Sequence, residues 1–84
     1  MINAEQMRAA RALLDWTRDD LAGKSGVSAP TIKLMETRGT ERSVIATVHA
    51  VQAALEEAGV AFIPENGGGA GVRRREPSPP RNHP

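Results

Sequence analysis

The chain has 84 residues and a net charge of +1, with one Trp, one Phe, no Tyr and no Cys. That length corresponds to one small domain near the lower limit for a self-sufficient core, built here from aliphatic side chains. Without cysteine there are no disulfides and few zinc sites, and the two histidines, His49 and His83, are far apart in sequence, so no metal, cofactor or enzymatic activity is expected.

Residues 5–14, "EQMRAARALL", are good helix formers, with Asn3 as N-cap and Met7, Ala10 and Leu14 on one face. This first helix is expected to end near Asp15. Thr17 then caps a second helix over 18–25, whose first turn holds Asp19 and Asp20 where the helix dipole favours negative charge. Leu21, Ala22 and Ser25 form its inward face, and Gly26 supplies a left-handed stop. Val27 should plug the core. Ser28 caps a third helix over 29–38, with Pro30 in the first turn where a missing N–H costs nothing. Ile32, Met35 and Glu36 share its inner side, and Gly39 ends it.

The segment "VIATVHAVQAALEEAG" carries a wide apolar stripe of Val44, Ile45, Val48, Val51, Gln52 and Leu55, which predicts a fourth helix over 43–58 ended by Gly59. The period then changes. "VAFI" at 60–63 is a strand candidate, "PENGGGAG" a breaker-rich loop and "VRRR" at 72–75 a second strand that could pair with the first. The "GGGAG" run lacks the Lys-Ser/Thr of a phosphate-binding loop. The proline-rich end, "EPSPPRNHP", is expected to be disordered. The reading is an all-α domain over 1–59, a strand or hairpin extension over 60–75 and a tail over 76–84.

The segment "MINAEQMRAARALL" is interrupted by Glu5, Arg8 and Arg11, where a signal peptide needs an unbroken apolar stretch, and no apolar run approaches the roughly 18 residues needed to span a membrane. A cytoplasmic protein is expected. Charge is unevenly distributed. Residues 72–84 carry four arginines against Glu76, whereas 1–71 has seven basic and nine acidic residues, a balance of −2.

The second helix, short turn and third helix together read as a helix-turn-helix. Arg11, "WTRDDLA" at 16–22, "GVS" at 26–28, "TI" at 31–32 and Glu36 before Gly39 resemble the phage-repressor-like (Cro/CI, XRE) family over roughly residues 6–58. The end "GVAFIPENGGGAGVRRR" is similar to that of a subset of short bacterial regulators of this type. The resemblance implies a transcriptional regulator that binds double-stranded operator DNA as a homodimer. It implies an ion pair between Arg11 and Glu36 that ties the first helix to the third. It also implies a third helix lying in the major groove, with the start of the second helix against the phosphate backbone.

Carried onto this chain, the resemblance makes Thr17 and Arg18 phosphate contacts and gives Ser28 and Thr31 contacts to phosphate or a base edge. Ala29, Pro30, Lys33 and Leu34 fall at base-facing positions, and Arg38 flanks the groove together with Lys24 and Arg42. Relatives commonly carry Gln, Arg, Ser or Asn at several base-facing positions, whereas here only Lys33 keeps a strong hydrogen-bonding group. Two other readings stay open. Ala29, Pro30 and Leu34 would form an apolar patch for a protein partner, as in an inhibitor or antiactivator of another transcriptional regulator. Alternatively, Leu34 is simply buried by neighbouring structure such as the hairpin. "RRR" at 73–75 reads as a phosphate-binding arm or as the solubilising end of an edge strand.

Overall fold

Each of the first three helices begins where the sequence places a capping side chain. The computed structural model describes residues 1–76, in the order α1 (Ala4–Leu14), α2 (Arg18–Ser25), α3 (Ala29–Arg38), α4 (Ile45–Glu57), β1 (Val60–Ile63) and β2 (Gly71–Arg74). At α1, Asn3 Oδ1 accepts the Gln6 N–H at 2.8 Å and the Gln6 side chain accepts the Asn3 N–H at 2.9 Å. At α2, the Asp20 N–H donates to Thr17 Oγ1 (3.0 Å) and the Thr17 N–H to Asp20 Oδ2 (2.8 Å). Reciprocal caps of this kind satisfy amides that have no partner inside the helix. Ser28 caps α3 by accepting the Thr31 N–H.

The turn between α2 and α3 is short because Gly26, at φ 76°, reverses the chain in a conformation that a side chain would strain. Val27 leaves the turn packed against the core. That core draws Met7 and Ala10 from α1, Leu21 from α2, Ile32 and Met35 from α3, Val48, Val51 and Leu55 from α4, and Val60 from β1. All nine are essentially inaccessible to solvent. The inward faces of α1 and α3 are those the spacing predicts. The sole Trp, Trp16, packs against this core from the α1–α2 junction.

The two strands pair antiparallel, with Val60 opposite Arg74 and Ile63 opposite Gly71. β2 therefore starts one residue earlier than the "VRRR" reading, while Arg75 extends the pairing by donating its N–H to the Gly59 carbonyl (2.7 Å). The hairpin packs on the helices, β2 against α1 and β1 against α4, with Phe62 and Val72 resting on the core. A two-stranded sheet gains stability from such packing that it lacks alone. The Gln6 amide, on α1, donates to the carbonyls of Ile63 (3.2 Å) and Gly71 (3.0 Å), so a buried side chain satisfies both strands at the loop end of the hairpin.

α4 is shorter than the apolar stripe suggests. Residues 40–43 form a turn, with the Ser43 N–H on the Thr40 carbonyl, and Val44 becomes the N-cap. Burial along α4 begins only at Val48. Val44 and Ile45, expected on the inward stripe, are instead 69% and 59% exposed. The first turn projects past the packed part of the helix, and helical periodicity alone carries no information about where packing begins. Among the described residues no helix is long and apolar enough to cross a membrane. Of the expected disordered tail, residues 77–84 lie outside the described residues.

Candidate nucleic-acid interface

The exposed side of α3 and the start of α2 are held in place by one buried carboxylate. Glu36 points inward from α3, its side chain fully buried. Arg11 reaches it from α1 with two bonds, Nε to Oε2 at 2.7 Å and Nη2 to Oε1 at 2.9 Å. Arg18 reaches it from α2, Nε to Oε1 at 3.0 Å. The third nitrogen of the Arg11 guanidinium donates to the Trp16 carbonyl at 3.0 Å, and Arg8 Nη1 donates to the Glu36 main-chain carbonyl. One carboxylate thus joins α1, α2 and α3 at a single point. The planar guanidinium fork is what permits two-bond pairing.

Electrostatics at this junction follow from burial and pairing. Desolvation pushes the Glu36 carboxyl up. The hydrogen bonds from Arg11 and Arg18, with their positive charges, outweigh that and hold it below its ordinary value. For Arg11 the hydrogen bond to Glu36 raises the guanidinium pKa against the opposing effect of burial. Both groups are charged at neutral pH. No buried side-chain polar atom among the described residues lacks a hydrogen-bond partner.

The Arg11–Glu36 pair expected from the resemblance is present. Arg18, expected at the phosphate backbone, lies at the start of α2 and also engages Glu36 with its guanidinium, a contact the sequence reading did not assign. Its side chain keeps 36% exposure, so one face is shared between the ion pair and solvent. The sequence does hold a signal for this, since Arg18 stands at the first position of a helix whose start must approach Glu36. The spacing alone does not separate that role from phosphate contact.

The candidate contact residues fall into two adjoining clefts beside α3. The first is lined by Arg11, Thr17, Arg18, Asp19, Ala29, Pro30 and Lys33. The second, toward the loop after α3, is lined by Thr31, Leu34, Arg38, Glu41 and Arg42. Ser28 sits at the head of α3, its hydroxyl donating to Thr31 Oγ1 at 2.8 Å. Pro30, Lys33, Leu34 and Arg38 are all exposed. Leu34 is 51% exposed, which overturns the reading in which the hairpin or other neighbouring structure buries it. Lys24 is exposed near the end of α2 and belongs to neither cleft.

The "RRR" cluster has an unanticipated occupation. Arg74 donates to the Leu13 carbonyl in the last turn of α1 (3.0 Å), and Arg75 donates to the Glu56 carbonyl at the end of α4 (2.9 Å). Cations are favoured at helix C-termini, where carbonyls lack helical partners. Two of the three arginines are therefore tied back onto the helices. In comparisons with known proteins, the chain matches no family model and no curated sequence.

Proposed function

We propose that the protein is a helix-turn-helix transcriptional regulator of the phage-repressor-like type that binds operator DNA as a homodimer, with α3 in the major groove. The observation that carries this reading is the first cleft, where the start of α2 and the exposed side of α3 present Thr17, Arg18, Ala29, Pro30 and Lys33 together. With the Asp20 N–H taken by the Thr17 cap, the Arg18 and Asp19 N–H groups at the start of α2 are the ones without a helical partner that favour an anion such as phosphate. Thr17 Oγ1 spends an acceptor on its cap, and its hydroxyl proton remains available to a phosphate oxygen. Arg11 and Arg18 meet on the Glu36 carboxylate, Arg8 donates to the Glu36 main-chain carbonyl, and Lys33 adds a further cation to a cleft that also holds Asp19. The interface is locally positive although residues 1–71 carry a balance of −2.

Two α3 helices related by a dimer axis would enter successive major grooves about 34 Å apart on a palindromic site. The test is fluorescence anisotropy of the full chain on the DNA upstream of its own gene and on a scrambled duplex, across a salt series. Sequence-dependent binding that weakens steeply with salt supports the reading. Equal weak binding to both duplexes refutes it.

A second reading has its own observation. Leu34, Val44 and Ile45 are exposed apolar side chains on α3 and at the start of α4, more than a solvated polar surface requires. They suit a protein-interaction module of the same fold, an inhibitor or antiactivator of another transcriptional regulator. Substituting Leu34 separates the two readings, as set out in the Discussion.

A further inference from the structure

Resting on the operator-binding reading, we infer that α3 recognises its DNA chiefly through thymine methyl groups, with a single guanine anchored by Lys33. The exposed side of α3 runs through Ala29, Pro30, Lys33, Leu34 and Thr37. Three of these five have no polar side-chain atom. The Thr37 hydroxyl donates to the Lys33 carbonyl at 2.8 Å, so its proton is committed to the helix. At the head of the helix, Ser28 donates to Thr31 Oγ1 and accepts the Thr31 N–H, so these two hydroxyls are engaged with each other. Pro30 has no N–H to give. Among these five, Lys33 is then the only long side chain with free hydrogen-bonding capacity, and Arg38, also exposed, lies beyond them in the last turn of α3.

That inventory restricts what the helix can distinguish. An ammonium group only donates. The major groove edge that best matches a lone donor is guanine, whose O6 and N7 are adjacent acceptors. The one acceptor side chain among these five is the Thr37 oxygen, two turns from the head of the helix, so at the N-terminal turns that meet base edges neither the N6 amine of adenine nor the N4 amine of cytosine finds a partner among them. The remaining contact surface is apolar, and thymine is the base with a methyl group in the major groove. Leu34 is half exposed and therefore has area to lose to such a methyl. Charge complementarity identifies DNA as the occupant of this apolar strip. Lys33 lines the first cleft, and Arg38 and Arg42 outnumber Glu41 in the second, a positive balance that matches the phosphates bordering a groove. Bound half-sites should be rich in A·T pairs around one G·C pair.

The experiment begins by enriching duplexes bound by the full chain from a random double-stranded pool. Each thymine of the enriched duplex is then replaced singly by uracil, which removes only the methyl group, and the guanine by 7-deazaguanine, which removes only N7. Burial of one methyl group corresponds to about a fourfold change in affinity. At least one uracil substitution should weaken wild-type binding by that factor. In Leu34→Ala the same substitution should change affinity by under about twofold, with Trp16 fluorescence checking that the variant is folded. 7-Deazaguanine should weaken the wild type by about tenfold and Lys33→Ala far less. An enriched duplex that tolerates uracil at every position, or a Leu34→Ala variant that keeps the full uracil penalty, overturns methyl readout while leaving operator binding intact. A pool that yields no enriched sequence overturns the operator reading and this inference with it.

Discussion

Replacing Glu36 by Gln should destabilise the protein more than any other single polar substitution at the α1–α2–α3 junction. The change keeps the size of the side chain and removes its charge. It places an NH2 group against guanidinium donors that now make three bonds to the carboxylate, at 2.7, 2.9 and 3.0 Å. Breaking a fully buried pair costs about 3–5 kcal/mol, because the partner is left charged and uncompensated. Here the partners retain 18% and 36% exposure and can turn toward water, which lowers the expected cost to about 2–3 kcal/mol. A domain of this size has a total stability of about 4–13 kcal/mol, so the loss is a large share of it. The melting temperature should fall by about 8–24 °C. Urea unfolding followed by the fluorescence of Trp16, the only tryptophan, measures the difference directly. A loss below about 0.5 kcal/mol would show that the junction is neutral to stability and would refute the argument.

The same experiment has a pH arm with a defined sign. The folded-state pKa of Glu36 is depressed, so its contribution is fully present above the ordinary carboxylate value of about 4.3 and is lost as pH falls through the depressed value. The gap between wild type and Glu36→Gln should therefore be wide at neutral pH and close in acid. A gap that stays constant down to strongly acidic pH would mean that some other group sustains it.

Other outcomes follow from the same contacts. Gln6→Ala strands two partly buried strand carbonyls, so it should cost about 1–2 kcal/mol. It should also accelerate amide exchange over 71–74 before the helices open, measured by hydrogen-exchange mass spectrometry. Arg75→Ala removes a donor from the end of α4 and should lower stability by about 0.5–1 kcal/mol in low salt, read from the urea midpoint. Leu34→Lys adds a cation to an exposed position. Under the operator reading it keeps duplex binding and raises affinity for the scrambled control, so anisotropy shows a reduced specificity ratio. Under the protein-partner reading it abolishes partner capture instead.

Much of the helical framework is legible because its signals are local. Asn3, Thr17 and Ser28 announce helix starts, Gly26 announces a stop, and the spacing of Met7 and Ala10 or of Ile32, Met35 and Glu36 identifies an inner face. Each of these acts over a few residues. The strand at 60–63 is legible for the same reason, since "VAFI" follows a glycine stop with a change of period. Long-range pairings are not. Gln6 finds Ile63 and Gly71 across more than fifty residues, and at the sequence level it looks only like a good first-turn residue. Arg74 and Arg75 look like surface charge until the hairpin brings them against the ends of α1 and α4. Val44 and Ile45 fail in the opposite way. Their spacing continues the stripe of α4, but the helix overhangs the body there and, among the described residues, no element covers its first turn.

The apolar character of α3 and the polar character of its anchor are connected. A side chain that reads a base edge by hydrogen bonding must be held to a fraction of an ångström, whereas contact with a methyl group tolerates small shifts. The junction around Glu36 holds α3 to α1 through two bonds from Arg11, with α2 attached by the single bond from Arg18. The most exposed of the paired arginines is therefore also the one whose departure disturbs the carboxylate least. If a phosphate draws Arg18 away, Glu36 keeps both bonds to Arg11 and the positions of α1 and α3 relative to each other are unchanged. Under the operator reading, Arg18 can then serve α2 at the phosphate backbone without loosening the helix proposed to face the bases. Holding the fold and contacting the partner need not compete for the same hydrogen bonds, because Arg11 provides the first and Arg18 is free to exchange its one bond for the second.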